Sequence, residues 1–73
     1  MTELERKHLF DADRHIAECE AYIAKQRDLI ERAIHQGRST EVAEETLEAL
    51  EASLRALERQ RRRLVDRLKS ESR

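Results

Sequence analysis

Residues 33–41 read Ala33-Ile34-His35-Gln36-Gly37-Arg38-Ser39-Thr40-Glu41, and this stretch decides the fold. Gly37 is the only glycine in 73 residues, and proline is absent. Everywhere else the chain favours an unbroken helix; here it does not. Glycine enters the left-handed region that ends a helix without steric cost, and Ser39 or Thr40 suits the cap of a following helix. Glu41, Glu44 and Glu45 then crowd a first turn, where the helix dipole favours anions.

On both sides of this break, apolar residues keep a seven-residue rhythm. Before it, Leu9, Ile16, Ile23 and Ile30 occupy heptad position a, while Ala12, Cys19, Gln26 and Ala33 occupy d. After it, Leu47, Leu54, Arg61 and Leu68 take a, with Ala43, Leu50, Leu57 and Leu64 at d. Each arm sustains about four heptads, long enough for the pattern to be specific. The reading is an all-α, antiparallel, coiled-coil-like hairpin making one domain over 1–73. Helix one covers about 2–36, the turn 37–40 and helix two about 40–70. The ten large apolar residues of the seam form its core.

Charge placement favours this hairpin over one continuous rod. Residues 1–20 carry three basic and six acidic side chains, net −3, and residues 55–73 carry eight and three, net +5. Residues 41–52 are purely acidic, net −5, whereas 21–36 come to +1. Folding back sets each acidic segment beside a more basic one, and a consistent pattern biases orientation although each exposed pair is weak. If residue numbers facing each other sum to roughly 76, small d residues of helix one meet leucines: Ala12 with Leu64, Cys19 with Leu57, Gln26 with Leu50.

Two helices cannot enclose each other's apolar surface. Leu4, His8, His15, Tyr22 and Leu29 form a second stripe beside the a positions, and Ile34 flanks the other side. Such a stripe calls for another layer. Two hairpins joining as a homodimeric four-helix bundle is the simplest solution, with a different helical protein as the competing partner.

Other residue constellations are weighed against plainer readings. His15 and Cys19 are four apart on a helix with His8 nearby, but structural zinc takes four ligands and His35 sits far off by the turn. Cys19 reads as a small core residue, and no metal or other cofactor is expected. The basic patch of Arg59, Arg61, Arg62, Arg63 and Arg67, within the arginine-rich segment 59–69, supports a rival reading as a nucleic-acid binder. Against it, these arginines point around the helix among leucines, and Phe10 and Tyr22 are the only aromatics for stacking on bases. Gln26 and Arg61 are polar at seam positions, where such residues fix register or oligomer state. Catalytic residues are not found: there is no Gly-rich phosphate loop and no nucleophile beside a base. Glu41, Glu44, Glu45, Glu48 and Glu51 read as an outer helix face. The charged N-terminus is unlike a signal peptide, no run approaches a membrane span, and the single cysteine gives no disulfide, so a cytoplasmic setting without membrane contact is expected.

The string HLFDADRHIAECEAYIAKQRDLIERA, then GRST and a leucine heptad, resembles a group of short proteobacterial helical-hairpin proteins without an assigned activity. The likeness rests on an ADRHIAE-like segment at 12–18, a QR-x-LI segment at 26–30 and a Gly-x-x-Thr turn at 37–40, and it spans nearly the whole chain. It implies a bacterial cytoplasmic hairpin and supplies no activity; the residues themselves point to a structural or protein-interaction module. The ERQRRRL segment at 58–64 is richer in arginine than that group's pattern.

Overall fold

Thr2 starts the first helix through a reciprocal pair of hydrogen bonds. The Glu5 backbone N–H donates to Thr2 Oγ1 at 3.1 Å, and the Thr2 N–H donates to Glu5 Oε1 at 2.7 Å. This capping box occupies two donors on either side of the helix start. The computed structural model describes residues 1–71 and consists of two helices, α1 (Glu3–His35) and α2 (Glu41–Glu71), packed against each other as a hairpin. Arg73, one of the basic residues counted in 55–73, lies outside the described residues.

The turn shows how one glycine reverses the chain. Gln36 caps α1, and Gly37 follows at φ +68°, the one positive φ among the described residues. The Arg38 N–H then donates to the Ala33 carbonyl at 2.8 Å and the Gly37 N–H to the Ile34 carbonyl at 3.1 Å. These two bonds are the Schellman pattern, which satisfies carbonyls that a helix end leaves open. The Thr40 carbonyl accepts from the Glu44 N–H at 2.8 Å and so begins α2. Thr2, Gln36 and Thr40, expected at the helix edges, therefore act as caps outside the helices, and α2 runs to Glu71.

Every a and d residue of both arms is at least half shielded from solvent, Gln26 and Arg61 included. Among the described residues, Ile23 and Cys19 alone are buried, at 4% and 7% exposure. The cross-hairpin contacts bracket the expected register of about 76. The Cys19 thiol donates to the Leu50 carbonyl at 3.4 Å, and Arg61 binds Asp13 across the hairpin, so facing numbers sum to 69 and 74. Longer pairs, Glu5 with Glu71 and Arg27 with Glu51, reach 76 and 78, but long side chains define height less sharply than a thiol does. Antiparallel packing that sets a against d gives Leu9 with Leu64, Ile16 with Leu57 and Ile23 with Leu50, each summing to 73 and inside that range. Layers at 73 interleave a knobs with d knobs, where 76 would stack a on a.

The result is a rod of 57 × 16 × 13 Å with a radius of gyration of 16.8 Å, against about 11 Å for a compact domain of this length. Its accessible surface is 6008 Å², whereas a compact monomer of 8.6 kDa exposes about 4,700 Å². Among the described residues, no helix is long and apolar enough to cross a membrane.

Candidate functional site: two unlike faces of the hairpin

An antiparallel pair has two lateral faces. On one, the e positions of both helices lie together; on the other, the g positions do. The e face of this hairpin is charged. It carries Asp13, Glu20 and Arg27 from α1 and Glu44, Glu51 and Glu58 from α2. Two ion pairs cross the seam here, Arg27–Glu51 at 3.9 Å and Arg61–Asp13. Glu51, expected on an outer surface, is therefore half shielded at the seam margin. A shallow groove on this face is lined by Asp13, Ile16, Glu58, Arg61, Arg62 and Val65 among others.

The g face is different in kind. His8, His15, Tyr22 and Leu29 stand along α1, with Leu4 beyond them, and all five are exposed. Leu4 is 60% exposed, Tyr22 61% and Leu29 44%. Tyr22, Lys25, Gln26 and Leu29 share one groove with Thr46 and Leu50, and Leu4, Glu5 and His8 share another with Leu64, Arg67, Leu68 and Glu71. The structure thus brings the expected stripe of α1 together on one side and adds an α2 half that the heptad reading omitted. Val42, Thr46, Ala49, Ser53, Ala56 and Gln60 follow each other at alternating steps of four and three, which is one face of a helix. None is charged. Small and neutral side chains do not register as an apolar stripe, so the available signal was the absence of charge at that spacing.

The arginines divide. Arg61 turns toward the seam, where it is half shielded and paired with Asp13. Arg67 stands on the g side beside Leu4 and His8. Arg59, Arg62 and Arg63 are exposed and, at about 100° per residue, share the outer side of α2 instead of pointing all around it. Glu58 and Asp66 interrupt that side. The five residues do not form one patch.

At the open end of the rod, Glu5 and Glu71 meet across the hairpin. The Thr2 backbone N–H, with help from a hydrogen bond to Glu71 and from the Thr2 hydroxyl, holds the Glu5 carboxyl below its ordinary value of 4.5. The same bond to Glu5, together with the Glu5 charge, pushes Glu71 above 4.5. One proton held between two carboxyls accounts for both directions. The Cys19 thiol is unoxidised, buried and turned into the seam, away from exposed His15. Among the described residues, no three His, Cys, Asp or Glu side chains converge as a metal site. In comparisons with known proteins, no family model matches the chain, and no curated protein or solved structure matches it either.

Proposed function

We propose that this chain is a non-enzymatic interaction module whose activity is self-association, two hairpins joining through their sparsely charged g faces into a four-helix bundle. One observation carries the reading: a hairpin with two buried side chains among its described residues leaves a sparsely charged lateral face, with Tyr22 61% exposed, opposite a face crossed by ion pairs. The rod exposes about 1,300 Å² more than a compact monomer of its mass, surface that a further layer of helices would reduce. A cytoplasmic setting suits such a module, because its one thiol is a packing group inside the seam.

Light scattering over a concentration series tests this. Twice the single-chain mass is expected, with Leu29→Glu and Tyr22→Glu reducing it to one chain while Glu20→Lys on the charged face leaves it unchanged. A wild-type hairpin that stays at single-chain mass and fully helical would sink the reading. So would tight binding of random-sequence DNA or RNA that falls steeply as salt rises, since that is the signature of phosphate neutralisation by the outer arginines.

A further inference from the structure

The shape of the g face bears on how two copies meet. We infer that the second copy docks with its turn at the same end, so that α1 of each chain packs on α2 of the other about a twofold axis running along the hairpin. This orientation rests on the self-association proposed above. Across its width the face is uneven. The α1 half carries the larger side chains His15, Tyr22 and Leu29, and the α2 half carries the small ones Ala49, Ser53 and Ala56, so side-chain size makes the first a ridge and the second a furrow.

Two twofold arrangements set g face against g face. With the axis across the rod, the turns lie at opposite ends and each helix meets its own copy. Ridge then stands on ridge, and the two furrows face each other over a void, which close packing disfavours. With the axis along the rod, each ridge enters the other chain's furrow.

Heights agree with the second arrangement. Rotation about the long axis keeps every residue at its own level, so the numbers facing each other within a hairpin also face each other between copies. At sums of about 73, Tyr22 falls between the partner's Ala49 and the partner's Ser53, and Leu29 between the partner's Val42 and the partner's Thr46. His15 falls between the partner's Ala56 and the partner's Gln60. Along the rim, Asp11 and Glu18 come beside the partner's Arg63 and the partner's Arg59, while Lys25 and Arg32 come beside the partner's Glu45. Charge is also satisfied with the turns apart, because the acidic start of α2 would then meet the basic end of its copy. Volume is what separates the two.

The test is the distance between the two turns of one dimer, with spin labels on Ser39→Cys in a Cys19→Ala background. The hairpin is only 16 × 13 Å in cross-section, so turns at one end give a distance below about 25 Å. Turns at opposite ends give about 50 Å, the length of a helix arm, and that result overturns the orientation while leaving self-association intact. A single-chain mass for the wild-type protein overturns both. Ala49→Leu gives a second readout that needs no label. It fills the furrow that Tyr22 enters, so dimer dissociation should rise tenfold or more. Tighter association would mean that the leucine fills a furrow-to-furrow void, and would equally overturn the orientation.

Discussion

Gly37 is the residue on which the hairpin turns, and the reason is backbone geometry alone. A Cβ built there meets nothing within 4 Å, yet φ is +68°. Gly37→Ala should therefore cost about 1 kcal/mol through conformation and nothing through collision, lowering the melting temperature by about 4–8 °C. Gly37→Asn should lose less, because asparagine tolerates the left-handed region; equal losses for both would point to a steric cause. Arg61 makes a contrasting case. Its pair with Asp13 is about half exposed on both sides, 41% and 52%, so the ion pair contributes only tenths of a kcal/mol. Arg61→Leu should raise stability by about 1 kcal/mol, by placing an apolar side chain at a seam position. A large loss in thermal unfolding would show that the pair is worth more than its exposure implies. Both residues stood out in the sequence, one as a lone glycine and the other as a lone charge in a leucine column. What the column did not reveal was the partner. Asp13 lies next to a seam position, and nothing in the heptad column singles it out from its neighbours as the partner of Arg61.

At the scale of the helix, the ends are where local chemistry outweighs periodicity. The heptads of α1 say that a helix starts near Thr2; the Thr2-x-x-Glu5 spacing says how. That signal was present in the sequence but was masked by the stronger apolar pattern. Thr2→Ala removes the cap acceptor and should cost about 1 kcal/mol, visible as faster amide exchange in the first turn of α1. The same end responds to acidity. Glu5 has a lowered folded value, so its contribution is present above the unfolded value and lost as pH falls through the folded one. Glu71 has a raised folded value, so its contribution is full below the unfolded value and lost as pH rises. The link between them thus needs Glu71 protonated and Glu5 ionised, a window around 4.5. Intrinsically corrected exchange at both chain ends should be slower there than at neutral pH. Glu71→Gln supplies a permanent donor and should flatten the profile; an unchanged profile in that variant would show that the two carboxyls do not share a proton.

For the whole molecule, length is out of proportion to core. A rod 57 Å long with two buried side chains has few contacts per residue to resist unfolding. If folding and association are one process, the melting temperature must climb with protein concentration, as it does for any state stabilised by mass action. A tenfold dilution that leaves the midpoint unmoved would show a self-sufficient hairpin. Architecture at this scale was legible because helix length, break and charge asymmetry all point one way. The lateral face was only half legible: Tyr22 and Leu29 mark α1 as apolar, whereas Ala49, Ser53 and Ala56 are conspicuous only once α1 has been laid beside them.

The Schellman turn has one more consequence. A single amino acid reverses the direction of the chain, and no seam contact depends on which polypeptide supplies the second arm. Straightened at Gly37, the molecule becomes one shaft whose halves are each complementary to the other's copy. Two such shafts laid head to tail would remake every a-to-d layer in trans. The same glycine that shapes the hairpin therefore guards against domain exchange, and its loss would alter strand ownership before it altered the fold.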